Sequence, residues 1–379
     1  MTTTQPKLKN TPDFLADLPK PLVAGALTLI ALVVAAGGFL ALRDARSTDI
    51  PGQVLITVAA IVWGIGAVVL LYYTANYWVE MLPEKTMRRV QPFIFVGPAL
   101  AILAWYLAIP TLRTFWTSIT EFRGINCNFL GQQITTTDFV LFGNYLRVVC
   151  DRTNTAALSN NLTWMVLGTS LTVGLGLLIA ILADRSRFES VAKSFIFMPM
   201  AISMVGAGVI WRFVYDINPN IGLLNAIVTS AGGQPQAWLT TPGLNNILLI
   251  IVMVWLQTGY AMVLISAAIK GVPDDLLEAA RVDGANEFRI FFSIILPSIA
   301  GTLVTVITTV IIFTLKTFDI VMVMTGGQFD TEVIGVRFYR EFFNIRDDGM
   351  GSAIAIVLLL AVVPIMIYNL RQFSKRETF

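Results

Sequence analysis

Apolar runs alternate with short polar connections along almost the whole chain. A run of about 20 apolar residues is long enough to cross a bilayer as a helix. Eight such runs occupy residues 22–42, 54–78, 93–116, 162–182, 195–214, 247–269, 299–318 and 350–368. The pattern predicts an all-α integral membrane protein with eight transmembrane helices, and no spacer is long enough for a separate soluble domain. The first run follows Lys7, Lys9 and Lys20, as a signal peptide would. It is longer than the apolar part of such peptides and no small-residue cleavage site follows, so it is expected to be retained.

Basic residues sit in the connections unevenly. Lys85, Arg88 and Arg89 form one group, Arg185, Arg187 and Lys193 a second, and Lys270, Arg281 and Arg289 a third, with Arg371, Lys375 and Arg376 in the tail. Placing both termini in the cytoplasm puts all four groups on the side that Lys and Arg favour. Arg43 and Arg46 in the first outer loop are a weak exception.

Composition agrees with this reading. Of 379 residues, 56% are hydrophobic and 13% charged, about half the charged share of a soluble domain. Lys and Arg number 26 against 24 Asp and Glu, so no basic excess points to nucleic acid. There is no histidine, which excludes Ser-His-Asp triads, HExxH zinc sites and imidazole proton relays. Cys127 and Cys150 share one expected outer loop. In an oxidising compartment two such thiols pair or remain as two free thiols, and their spacing suggests no metal site.

The connection at 271–297 carries more information. Pro273 with Asp274 or Asp275 starts a helix, acidic side chains at its positive end. Leu276, Leu277 and Ala280 recur at helical spacing, Gly284 stops the helix, and Asn286 is placed to cap a second one. Two short helices at an angle make a knob whose apolar face needs a partner groove. Glu278-Ala279-Ala280, then Gly284, then Ile294, Leu296 and Pro297 resemble the EAA motif of permease subunits in binding-protein-dependent ABC importers. The resemblance implies that this segment docks on an ATPase subunit and that Glu278, Ala279, Ala280 and Gly284 are coupling residues. The competing reading is an amphipathic loop with no docking role.

The resemblance extends from about residue 92 to the C-terminus, through Pro92–Ala99, Asn144-Tyr145, the Asn220–Asn225 stretch and Thr325-Gly326-Gly327. It is similar to carbohydrate-uptake permeases, including the larger maltose permease subunit and α-glucoside permeases. It implies a type I importer core of six helices over 92–379, preceded by a segment 1–91 with two extra helices that wrap a partner permease or anchor the chain. Where the family continues to Gly-Pro, this chain has Gln328-Phe329, so the local turn is expected to differ. The implied partners are a second, homologous permease, an ATPase dimer, a periplasmic sugar-binding protein and the bilayer of a bacterial inner membrane. The implied substrate is an oligosaccharide or glycoside.

No Walker A loop is present: Lys85-Thr86, Lys193-Ser194 and Lys316-Thr317 lack the upstream glycines that cradle phosphate. ATP and Mg are therefore expected on another chain, with no cofactor or catalytic residue on this one. Pro199, Trp255 and Thr325-Gly326 align with stretches lining the sugar site of the maltose-type subunit. Position by position, the resemblance implies substrate contacts at Met200, Met204, Met253, Leu256, Gln257, Tyr260, Phe313, Thr314, Thr317 and Asp319. The alternative is that the aromatic and aliphatic members simply pack. Lys316 and Asp319, three apart, are read as a salt bridge, a gate or a substrate contact, in that order. A gradient-driven secondary transporter is the main rival, yet no carboxylate lies well inside an expected span. A membrane-bound enzyme is weaker still, for want of an acid/base pair.

Overall fold

The computed structural model describes residues 19–45, 49–129, 132–136 and 141–374. Lys7, Lys9, Arg46, Lys375 and Arg376 lie outside them. Among the described residues the expected spans are there as six unbroken helices and two bent pairs. The first three unbroken ones are α1 (Lys20–Asp44), α2 (Ile50–Glu80) and α3 (Glu84–Thr120). Next come a hairpin of β1 (Ile125–Phe129) and β2 (Gln132–Thr136), and α4 (Gly143–Cys150). Then α5 (Arg152–Asp184) is followed by the first bent pair, α6 (Glu189–Ala201) and α7 (Met204–Val214). A short α8 (Leu223–Ser230) leads to α9 (Leu244–Lys270) and to α10 (Asp274–Val282). The second bent pair is α11 (Glu287–Ser298) and α12 (Ala300–Leu315). The chain ends with α13 (Asp319–Met324), α14 (Ile334–Tyr339) and α15 (Asp348–Ser374).

The hairpin pairs Ile125 with Thr136 and Phe129 with Gln132, antiparallel, within a stretch expected as loop. The structure divides into two compact units, Met1–Thr111 and Leu112–Phe379, inside α3, whereas the family-like stretch begins near 92. In the first unit α1 and α2 pack on each other, tied by Trp63 Nε1 donating to the Val34 carbonyl (2.8 Å) and Trp78 Nε1 to Thr28 Oγ1 (2.8 Å).

The second unit is organised around α9, which packs on α5, α6, α7, α12 and α13. One half of its core gathers Trp164, Leu249, Ile250, Met253, Leu256, Ile320 and Val321; the other gathers Val173, Ala261, Met262, Ile265, Ile299 and Val306. Gly259 permits the close approach of α6: a Cβ there would lie 2.6 Å from the Ile196 carbonyl oxygen and 2.8 Å from Phe197 Cα.

Both bends have identifiable causes. Pro199 sits in a 3₁₀ turn, Met198–Ala201, after which Ile202 and Ser203 are extended and the axis turns by 100°. Ser203 restarts the helix by accepting the Gly206 N–H on its Oγ at 3.0 Å. In the other pair the helix widens to a π turn over Phe291–Ile295 just before Pro297, then bends by 68° around Ile299. Proline removes a ladder donor and crowds the carbonyl four residues back, which the wider turn accommodates.

Candidate functional site

The end of the second unit that carries residues 271–297 is called the near end, and the end where α9 begins is the far end. At the near end the segment folds as its sequence predicts. Gly284 has φ +77° and closes α10: its N–H meets the Arg281 carbonyl, and Ala285 N–H reaches back to Ala280 (3.0 Å). That pair of bonds is a Schellman stop, for which a left-handed glycine is suited. Asn286 Oδ1 then accepts the Arg289 N–H at 2.9 Å and opens α11.

The expected apolar face divides in two. Ala280 is buried and Leu277 packs against the core, but Leu276 faces outward, because α10 turns only one side inward. Glu278, Ala279 and Gly284 are exposed, and beside them Val282, Phe288 and Phe292 present apolar surface. A cavity of about 690 Å³ opens between these elements, lined by Ile181, Ile269, Val272, Leu277, Phe291 and Ile295 with charged Asp184, Arg185, Arg281 and Glu287.

Two ionic groups hold this end together. Lys193 Nζ donates to Asp184 Oδ1 (2.5 Å), Glu189 Oε1 (2.6 Å) and Ser266 Oγ (2.5 Å), while Ser266 Oγ donates to Asp184 Oδ1 (2.7 Å) and Lys270 also reaches Glu189. Glu287 accepts from Arg185 (2.8 Å) and Arg281 (3.2 Å).

The ten expected substrate residues fall into three sets. Met253 and Leu256 are sealed in the core, and Thr314 is fully buried with its hydroxyl on the Ile311 carbonyl (2.8 Å); in this conformation these three pack. Gln257 is 7% exposed, and its amide finds no hydrogen-bond partner among the described residues. The hydroxyls of Tyr260 and Thr317 and the Asp319 carboxylate are likewise unpartnered there. Met200 and Phe313 are exposed, and Met204 opens α7 just past the 100° bend. None of the polar groups of Gln257, Tyr260, Thr317 and Asp319 is among the fully buried polar atoms left without a partner, so their polar ends open onto accessible space.

The Lys316–Asp319 bridge does not form. The helix ends at Leu315, and Phe318 (φ −142°, ψ −56°) separates it from α13, so the two side chains never share a helix face. Asp319 instead sits in the first turn of α13.

At the far end lies a polar network that sequence reasoning did not find. Arg147 pairs with Asp347 (3.0 Å), Arg337 with Glu341 (2.6 Å) and Asp151 (3.8 Å), and Arg340 with Glu332 (2.9 Å). Burial pushes the Glu332 and Glu341 carboxyls above their usual range, outweighing the arginines beside them. Buried amides knit the same layer: Asn161 caps the Ile334 N–H (2.7 Å), Asn245 reaches the Phe329 carbonyl (2.7 Å), and Asn246 accepts from Trp164 Nε1 (2.7 Å). The available signal was the Asn160-Asn161 and Asn245-Asn246 pairs, amides at the heads of two apolar runs. After Gly326 and Gly327, Phe329 and Asp330 also take positive φ, so the turn with Gln328-Phe329 is left-handed at four positions.

A second cavity of about 550 Å³ opens there, between Arg212, Tyr215, Trp238, Met324 and Phe329. None of the ten substrate candidates lines either cavity. Cys150, at the end of α4, is disulfide-bonded, and Cys127 is the chain's other cysteine; the Cys127 side chain is outside the described ones.

The comparisons agree on kinship. The chain is 50% identical over 288 residues to the osmoprotective compounds uptake permease protein of Synechocystis sp., covering 75% of this chain and 99% of that one. It is 43% identical over 293 residues to the alpha-glucoside transport system permease protein of Rhizobium meliloti, covering 76% and 84%. In fold it is similar to a bacterial ABC transporter involved in the import of the acidic polysaccharide alginate, with a TM-score of 0.64 and 18% identity over 78% of this chain and all of that one. Residues 172–376 match the family described as binding-protein-dependent transport system inner membrane component. With more than half its length in that match, this chain belongs to the inner membrane components of binding-protein-dependent transport systems.

Proposed function

We propose that the chain is one of two permease subunits that together enclose the path of an ATP-driven importer for a small, polyhydroxylated glycoside of the α-glucoside class. A binding protein delivers the solute at the far end, and ATP with Mg is bound and hydrolysed by an ATPase dimer docked at the near end. Both termini then lie in the cytoplasm, which keeps the basic groups of the near-end connections inside. The observation that carries the reading is the α10–Gly284–α11 elbow, a stiff, partly apolar knob projecting from the most deeply packed helix of the unit. Such a knob can convert an ATPase movement into a displacement of α9.

Gln257, Tyr260, Thr317 and Asp319 are the side chains assigned to the sugar, because hydroxyl-rich ligands satisfy unpartnered amides, hydroxyls and carboxylates. Met200, Met204 and Phe313 supply apolar surface beside them. Met253, Leu256 and Thr314 stand behind and hold the helix positions. The names of the relatives, one for osmoprotective compounds and one for alpha-glucosides, fit a neutral glycoside. Coupling is thermodynamic: nucleotide and sugar each stabilise a different arrangement of the bundle.

The test is purification of the chain from native membranes and reconstitution of what accompanies it. Recovery of a second permease and an ATPase, with hydrolysis stimulated by a binding protein loaded with trehalose, maltose or glucosylglycerol, supports the assignment. A chain purified alone, with uptake driven by a proton or sodium gradient, refutes it.

A further inference from the structure

The near-end ionic groups form a closed ring with the chain itself. Starting at Ser266 and Lys270, the last turns of α9, the backbone runs through α10 to Glu287 at the head of α11. Glu287 is bonded to Arg185, which lies in the turn between α5 and α6. The turn leads into α6, whose first residues return to α9 through Lys193 on Ser266 and Glu189 on Lys270. The 271–297 segment is therefore held covalently at both ends, by α9 and α12, and ionically to the turn before α6 through Glu287 and Arg185.

The two ionic groups, the Lys193 junction and the Arg185–Glu287 pair, differ in kind. Lys193 is 19% exposed and Asp184 13%, and the ammonium has three N–H groups donated to three acceptors on α5, α6 and α9. An ammonium has no further donor to offer, so the junction is saturated. Removing it would leave Asp184, whose Oδ2 already has no partner, as an uncompensated buried charge. Arg185 and Glu287 are 64% and 51% exposed, where an ion pair holds weakly and exchanges with water.

We propose that Lys193 is a positioning residue for coupling: it locks the ends of α5, α6 and α9 into one body, while the Arg185–Glu287 pair is the link that opens and closes as the 271–297 segment moves. Lys193 touches neither nucleotide nor sugar. It acts by making the displacement of α10 reach three helices at once, and the exposed pair sets how far the segment swings before it pulls on the turn before α6. This inference rests on the importer reading above.

The experiment uses the complete reconstituted transporter and compares basal hydrolysis, hydrolysis stimulated by loaded binding protein, and sugar transported per ATP. Lys193→Met is expected to lower the stimulated-to-basal ratio about fivefold or more, within the span of a typical coupling energy. Lys193→Arg should restore most of it. Arg185→Gln, at an exposed site that does not threaten folding, is expected to raise basal hydrolysis and reduce sugar moved per ATP, with Arg185→Lys close to wild type. Stimulation and stoichiometry unchanged in Arg185→Gln would overturn the proposal. So would a Lys193→Met complex that assembles normally with a wild-type ratio. If the wild-type complex itself shows no sugar-stimulated hydrolysis, the importer reading fails and takes this inference with it.

Discussion

Helices α2 and α9 look alike as sequence and behave differently as structure. Their most apolar stretches have mean hydropathies of 2.7 and 2.2, so the more apolar of the two is α2. Yet 67% of that stretch is buried in α9 and 6% in α2. Lipid tails are as apolar as leucine, so hydropathy selects segments for the bilayer and says nothing of which ones pack on protein. Composition does not separate them either, since α2 has Gly52, Thr57, Gly64, Gly66, Thr74 and Asn76; what differs is placement, with Gly259, Thr258, Ser266, Gln257, Asn245 and Asn246 of α9 all buried against neighbouring helices while α2 buries only Ala67, Thr74 and Val79.

The largest expected contrast comes from deleting equivalent side chains in the two helices. Leu249 is fully buried in the α9 core, and Leu55 of α2 is 70% exposed. Leu249→Ala leaves a cavity among packed neighbours and is expected to cost about 3 kcal/mol, whereas Leu55→Ala should cost close to nothing. Thermal unfolding of the two variants in one detergent reads the difference. Equal losses would mean that the face of α2 bearing Leu55 is packed as tightly as α9.

A glycine pair sharpens the same point with opposite signs. A Cβ at Gly259 would meet the backbone of Ile196 and Phe197, while one at Gly66 of α2 would meet open space. Gly259→Ala is therefore expected to destabilise by about 2 kcal/mol. Gly66→Ala should stabilise by about 0.5 kcal/mol, since alanine loses less backbone entropy in a helix. Both shifts are measurable as Tm in the same assay.

How much of this was legible beforehand differs by level. The eight apolar segments and the 271–297 elbow followed from local signals: run length, Pro273, Gly284 and the Asn286 cap each act within a few residues of themselves. The 100° and 68° bends were less so, because Pro199 announces a break in the ladder but only packing sets its angle. The Lys316–Asp319 pair was misread because three-residue spacing means contact only while a helix continues, and this one stops at Leu315. The far-end network escaped for a different reason. Arg147, Arg337 and Arg340 lie in connections, where charge is ordinarily solvated, and no local pattern says that Glu332, Glu341 and Asp347 will be buried. Of the substrate candidates, position alone could not separate Gln257, whose amide is uncommitted, from Leu256 and Met253 beside it, which are core.

A smaller effect is expected at the elbow. Gly284 has open space around its Cα, so Gly284→Ala meets no clash and suffers only the left-handed φ, a penalty of about 1 kcal/mol confined to the α10 stop. Global Tm should barely move. Hydrolysis in the assembled complex should lose part of its sugar dependence, because the knob no longer holds one angle. Full stimulation in that variant would detach the elbow from coupling.

The smallest effect, and the one that separates the two kinds of ion pair in this molecule, is a pH slope. Glu332 and Glu341 are buried at the far end with Arg340 and Arg337 against them, and with Arg147, Asp151 and Asp347 in the same layer. Their carboxyls titrate above the usual range because burial penalises the charge more than the arginines favour it. A raised carboxyl binds its proton more tightly in the folded protein than in the unfolded one. Stability from this source is therefore fully present below the ordinary carboxylate pKa and declines as pH rises through the raised value. From the ordinary carboxylate pKa upward the Tm should carry this downward slope, and Glu332→Gln together with Glu341→Gln should remove that component. Glu84 and Arg88 on α3 make the control, since both side chains are more than 70% exposed and their 2.7 Å pair is screened by water. Arg88→Ala should leave both the Tm and its slope where they were; a slope that changed equally in both variants would mean that burial is not what distinguishes the far-end carboxylates.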